Sequence, residues 1–170
     1  GFPLADEQYF PDSTIQMFEH GYIVYHFPYV GEDRDWNRTP VAYPYLASRG
    51  SLFDVHAEQV WQDTGVQVKP GDRVTIIQVG GAWTYWEPGE MFDANGDVSM
   101  GLQEGTVLDS AIIGALIGRI GEDDGHMFPV GRWSTLTAPT TGTVYLTMND
   151  GNYGDNAGFI TVQIMAEPSD

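Results

Sequence analysis

The residues Asn149-Asp150-Gly151-Asn152-Tyr153-Gly154-Asp155-Asn156-Ala157-Gly158 bring together two Asp, three Asn and three Gly, with no Lys or Arg. Carboxylate, carboxamide and main-chain oxygens packed this densely suit a hard cation such as Ca2+. The glycines let the chain curl so that several oxygens face one point. Asn, Asp and Gly are also the commonest turn residues, so composition alone leaves a plain turn as the alternative. Two features favour the cation. The loop is longer than the two-residue connection of a tight hairpin. Its acids also repel one another with no basic residue nearby, and a bound cation would relieve that. The spacing is not that of an EF-hand, which needs a longer ligand series ending in Glu.

The flanking segments, Thr143–Met148 and Phe159–Ile164, alternate as strands do, so the loop is expected to join two of them. Further strands are expected around Phe53–Ala57, Val66–Val68, Val74–Val79, Ala115–Ile120, His126–Val130 and Trp133–Ala138. A turn is expected at Lys69-Pro70-Gly71-Asp72, another at Gly121–Gly125, and a loop beginning at Ala82–Trp86. Asp109–Leu116 is the nearest approach to a helical period, and the two glycines close behind it weaken that case. Short strands at this spacing predict an all-β fold, an antiparallel β-sandwich.

Other chemistry is poorly supported. His20, His26, His56 and His126 are scattered without transition-metal spacing. No serine sits in a Gly-x-Ser-x-Gly context, and no phosphate-binding glycine motif occurs. Glu87, Glu90, Asp93 and Asp97 form an acidic run. Paired carboxylates can hydrolyse glycosides, but a solvated face is the favoured reading. Asp93-Ala94-Asn95-Gly96-Asp97 is also a candidate second calcium turn.

The chain has 170 residues, room for one or two domains, and 42% hydrophobic residues, enough for a real core. Formal net charge is −17 with only 7 Lys and Arg, which disfavours nucleic acid and anionic membrane surfaces as partners. Neutral ligands and cations remain. There is no Cys, hence no disulfide framework or thiolate site. No apolar run reaches the length of a membrane span. The chain starts at Gly1 without a Met and is read as part of a longer or processed protein.

Residues 1–50 read as a separate segment and linker. Gly1, Phe2, Pro3, Glu7, Phe18, Gly21, Ile23 and Tyr25 resemble the LGFP repeat, a short module of bacterial cell-surface and cell-wall proteins. Prolines, aromatics and charge over Gly31–Tyr45 suggest a linker docked by its aromatic residues.

Residues 51–170 form the second domain, and from about Val55 to Ile164 it resembles the PA-IL (LecA) family of calcium-dependent galactose-binding lectins, which are small β-sandwiches; the resemblance implies a sandwich of the lectin or galactose-binding-like jelly-roll kind. The phrases that match are Val68-Lys69-Pro70-Gly71-Asp72, Gly81-Ala82-Trp83, Gly114-Ala115-Leu116-Ile117-Gly118-Arg119-Ile120-Gly121, and the Asn149–Gly158 loop. The resemblance implies Ca2+ ligands at Asp150, at the Asn152 carbonyl, at Asp155 (where the family has Asn) and at Asn156. It implies one more carbonyl just after Trp83, at Trp86 by count, with Tyr85 the near alternative. It implies a sugar contact from Asp150, and the oxygen chemistry and aromatic surface beside it add Asn152, Asp155 and Trp86 as expected sugar contacts. Of the family's sugar-contacting His-Pro-x-Gln segment, Met100–Gln103 keeps only Gln103. Trp86 and Tyr85 could offer an apolar platform to a sugar ring, whereas Trp83 is expected in the core. The function expected is therefore a non-catalytic, calcium-dependent carbohydrate-binding module outside the cell or at its surface. Its ligand would be a galactoside or other cell-surface or wall glycan, with homo-oligomers possible. The alternatives are a structural surface module in which calcium only stiffens the loop, and an accessory domain of a glycoside hydrolase.

Overall fold

The computed structural model describes residues 50–169 in full. Before them it describes only the backbone of four strands, β1 (Gln8–Tyr9), β2 (Ser13–Phe18), β3 (Gly21–His26) and β4 (Val41–Pro44). The chain divides into two compact units, Gly1–Arg49 and Gly50–Asp170. In the first, the strands form one antiparallel sheet in the order β1-β2-β3-β4, with Phe18 paired to Gly21. The strand expected through Ile23 and Tyr25 is β3. The LGFP-type reading of Gly1, Phe2, Pro3 and Glu7, and the linker reading of the stretch before β4, fall outside the described residues.

The second unit holds eight strands among its described residues: β5 (Gly50–His56), β6 (Gln62–Val68), β7 (Arg73–Thr84), β8 (Leu116–Ile120), β9 (Met127–Pro129), β10 (Trp133–Thr137), β11 (Gly142–Met148) and β12 (Ala157–Glu167). They form two four-stranded antiparallel sheets, ordered β10-β7-β12-β5 and β6-β11-β8-β9. Alternation explains how the sheets meet. Ile160, Val162 and Ile164 on β12 and Val74 and Ile76 on β7 point inward from one layer. Val144, Leu146 and Met148 on β11 with Leu116 and Ile120 on β8 point inward from the other. These side chains form one buried cluster, so the two sheets are the faces of a β-sandwich. Each such side chain contributes about 1.5–3 kcal/mol on burial. Trp83 joins the cluster with its ring fully buried and its Nε1 donating to the Gly114 carbonyl at 2.8 Å, as a core role requires.

Between Asp109 and Leu116, where the sequence came nearest to a helical period, the described chain makes turns, and Leu116 opens β8. One expectation is corrected: the loop expected from Ala82 does not begin there, because β7 runs on to Thr84. Gly80 and Gly81 look like a strand terminator but form a bulge. Thr161 pairs with Gly80 and Val162 with Gln78, which leaves Val79 as the extra residue. Gly81 has φ +81°, and a Cβ there would lie 2.3 Å from the Phe159 carbonyl oxygen, so only glycine lets β7 bend and keep its pairing.

β11 and β12 belong to different sheets. Residues 149–156 therefore do not close a hairpin. They carry the chain from one layer of the sandwich to the other, which is why the connection is long.

Candidate functional site

The site is assembled where β7, β11 and β12 end together. The last rung of the β7–β12 ladder pairs Thr84 with Ala157. Past that rung, the chain leaving β7 runs beside the 3₁₀ turn Tyr153–Asp155, and the Glu87 N–H donates to the Asp155 carbonyl at 2.7 Å. Register alone thus brings Tyr85 and Trp86 alongside Asp155 and Asn156.

Asn149 anchors the crossover. It is fully buried, its N–H donates to the Ala115 carbonyl at 2.7 Å, and its carbonyl accepts from Gly114 N at 2.9 Å. Its side chain spans the stretch from Leu108 to Ile112. Oδ1 accepts from Leu108 N at 2.8 Å, and Nδ2 faces the carbonyls of Leu108, Ala111 and Ile112 at 3.1, 2.9 and 3.2 Å. Tyr153 braces the loop from within, its hydroxyl donating to the Met148 carbonyl at 2.7 Å and accepting from Thr147 Oγ1. The Asn152 side chain caps the 3₁₀ turn through Gly154 N, so its expected contribution to a cation rests on its main-chain oxygen.

The two residues nearest this frame each keep one oxygen unused. Asp150 is 7% exposed. Its Oδ1 accepts from Gly151 N at 2.7 Å, while its buried Oδ2 has no hydrogen-bond partner. Asn156 is also buried. Its Nδ2 donates to the Ala57 carbonyl at 3.1 Å, which fixes the amide orientation and leaves the buried Oδ1 without a donor. A buried acceptor without a donor costs about 1–3 kcal/mol. Two of them on residues picked out as ligands make a donor set that fits an oxygen-seeking cation. Asp155 and Asn152 are exposed beside them. No group of three or more His, Asp or Glu gathers into a metal cluster among the described residues. A cation here would depend on amide and main-chain oxygens as much as on carboxylates.

The carbonyl after Trp83 is resolved further than counting allowed. The Trp86 carbonyl already accepts from Thr84 Oγ1 at 2.9 Å and from Gly89 N at 2.7 Å. It could coordinate only by giving one of these up. The Tyr85 carbonyl carries no such bond among the described residues.

The expected platform is also corrected. Trp86 is 41% exposed and available to a ligand, but Tyr85 is buried beneath it, the two rings meeting edge-on at 4.6 Å. The Tyr85 hydroxyl donates to Asp97 Oδ2 at 2.8 Å. Its pKa is pushed up to about 12, chiefly by burial, then by the Asp97 hydrogen bond and charge, with the Asp150 charge adding. Burial, with Asp150 again adding, raises Tyr153 too. Both phenols therefore lie within electrostatic reach of Asp150.

Gln103 is half-buried on the loop 98–108, its Nε2 donating to the Met100 carbonyl at 2.7 Å. The loop's Gly105 carbonyl lies so close to Gly151 that a Cβ there would sit 2.3 Å from it. Two of the four acids in the acidic run are structural. Asp93 pairs with Arg132 and accepts from Asn95 N. Asp97 accepts from Tyr85, from the N–H and hydroxyl of Ser99, and from Met100 N; the Ser99 hydroxyl is the main reason its pKa is lowered. These two acids are thus committed to protein donors, and the turn between them has no free carboxylate pair for a second cation or for glycoside chemistry. Asn149 and Asp97 are the site residues that sequence reasoning passed over. Asn149 stood inside the motif but looked like one more turn residue, and Asp97 looked like surface charge.

A family described as PA-IL-like protein matches residues 50–169. Among solved structures, one titled "EclA N-terminal domain; PllA-like lectin" is 26% identical, with 68% of this chain and 95% of that chain covered at a TM-score of 0.52. No curated protein matches.

Proposed function

The chain belongs to the PA-IL-like protein family, and from that premise we propose that it is a non-catalytic, calcium-dependent carbohydrate-binding module. The observation that carries the reading is the pair of buried, partnerless oxygens, Asp150 Oδ2 and Asn156 Oδ1. A calcium ion bound here would offer vacant coordination positions to a pair of sugar hydroxyls, because it accepts many oxygens in loose geometry. The residues that would hold it are Asp150, Asn156, Asp155, the Asn152 carbonyl and a carbonyl from Tyr85 or Trp86. Asp150 and Asp155 would also accept hydrogen bonds from the same hydroxyls. Trp86, exposed at the rim, would cover an apolar face of the ring. Gln103 would add a contact from the loop 98–108. A galactoside is the ligand to try first, since a solved relative in the comparison is a lectin and the chain's negative charge favours neutral ligands. Binding at one such shallow site is weak, so display outside the cell in several copies would raise avidity.

The test is calorimetric titration with methyl β-galactoside and a panel of simple glycosides, with calcium and with chelator. Calcium-dependent sugar heat, lost together with calcium binding in Asp150→Ala, supports the reading. Calcium binding without a response to any sugar would reduce the ion to a structural role. Sugar affinity retained in Asp150→Ala would refute the site.

A further inference from the structure

Resting on the calcium reading above, we propose that Tyr85 and Asp97 are positioning residues that transmit cation occupancy to the ligand-facing loop 98–108. Tyr85 stands at both ends of the link. Its main chain follows β7 directly and is one of the two candidate carbonyl donors. Its ring hydroxyl donates to Asp97 Oδ2 at 2.8 Å. Asp97, buried, spends its other oxygen on the start of the loop, where Oδ1 accepts from Ser99 N at 3.0 Å, Ser99 Oγ at 2.5 Å and Met100 N at 3.3 Å. A hydrogen bond to an ionised carboxylate away from water is strong and directional, so the phenol and the loop's first turn move together.

The other end of the loop is tied to the same place. Leu108 exchanges hydrogen bonds with Asn149, at 2.8 and 3.1 Å, and Asn149 immediately precedes Asp150. The middle touches it as well, with the Gly105 carbonyl against Gly151. Three fastenings of one loop thus converge on the neighbours of Asp150. Between them Val98, Met100 and Leu102 stand exposed. Apolar side chains displayed beside a polar site suit the apolar parts of a ligand that reaches past the ion. Fixing the Tyr85 carbonyl fixes its ring, the ring fixes Asp97, and Asp97 sets where Met100, Leu102 and Gln103 are presented.

The experiment uses the full chain and Tyr85→Phe, which removes one hydroxyl and leaves Asp97 its three other donors. In the unaltered chain, calcium chloride should slow hydrogen exchange at the Ser99 and Met100 amides by about tenfold, equivalent to ~1.4 kcal/mol of added protection. In Tyr85→Phe that slowing should disappear. Affinity for methyl β-galactoside should fall about tenfold, the size of one lost charge-assisted hydrogen bond. Ser99→Ala, which cuts the loop side of Asp97 without touching Tyr85, should reproduce both losses while calcium affinity, measured by calorimetry, stays within about twofold, since Ser99 supplies no proposed ligand atom. A merely structural role would lower Tm and calcium affinity together and leave the exchange response intact. The proposal is overturned if calcium binds and the loop amides do not respond, or if Tyr85→Phe responds as the unaltered chain does. Absence of any calcium heat would fail the metal site itself, and this inference with it. The exchange readout needs no sugar, so it decides whichever glycoside is the ligand.

Discussion

Replacing Asn149 by Ala should cost more stability than any other single change in the crossover. The side chain is fully buried and meets four main-chain groups on the Leu108–Ile112 stretch, one N–H and three carbonyls. Its amide has two hydrogens for the three carbonyls, so the contacts amount to about three hydrogen bonds, each worth on the order of 1 kcal/mol net. The Ala111 carbonyl is in a buried contact and would be left dry, while the groups at Leu108 are partly exposed and can recruit water. The expected loss is about 3 kcal/mol. For a domain of this size that lowers Tm by roughly 10–15 °C. Thermal melting and urea titration with an unchanged m-value would measure it. Asn149→Asp sharpens the test. It keeps an acceptor for Leu108 N but turns a carboxylate toward three carbonyls, so it should be worse than Ala. A loss below about 1 kcal/mol in Asn149→Ala, or an Asp variant milder than the Ala one, would refute this account of the hub.

Gly81→Ala should destabilise by more than about 2 kcal/mol, because left-handed strain is joined by a clash with backbone. Gly65→Ala is the control. Gly65 has φ +75° but nothing within 4 Å of a Cβ, so its cost should stay near ~1 kcal/mol; equal losses at the two sites in urea titration would show that contact is irrelevant. Tyr85 gives a pH signature. Its folded pKa lies above its unfolded one, so its contribution is complete below the unfolded value of 10.0 and is lost as pH rises toward about 12. Denaturation midpoints measured across that window should fall less steeply in Tyr85→Phe than in the unaltered chain, and identical slopes would contradict the assignment.

The strands of the sandwich were readable because their inward residues alternate. Val144, Leu146 and Met148, and Ile160, Val162 and Ile164, declare the two walls of the core without help from the rest of the chain. The oxygen-rich crossover was readable by composition, while the ligand roles expected of Asp150 and Asn156 within it come from resemblance. The failures share a cause, which is that local chemistry does not name distant partners. Gly80 and Gly81 looked like the end of a strand because the bulge that uses them depends on Phe159 and Thr161 across the sheet. Tyr85 looked like surface because Asp97, which receives its hydroxyl, lies across a loop with no periodic pattern. Asn149 matches no motif for a hub because its partners lie about forty residues earlier and are main-chain atoms, which any sequence can supply. The carbonyl after Trp83 could be narrowed only when the hydrogen bonds already spent at Trp86 were visible.

The crossover between β11 and β12 has a mechanical meaning. A load applied at a hairpin tip peels two neighbouring strands apart one rung at a time. A load applied at residues 149–156 is divided between two separate ladders, β11 with β6 and β8 in one layer and β12 with β5 and β7 in the other. Tension there pulls both walls along their strands, so many rungs must yield at once before either gives way. A tether seated at this end of the sandwich grips both of its layers.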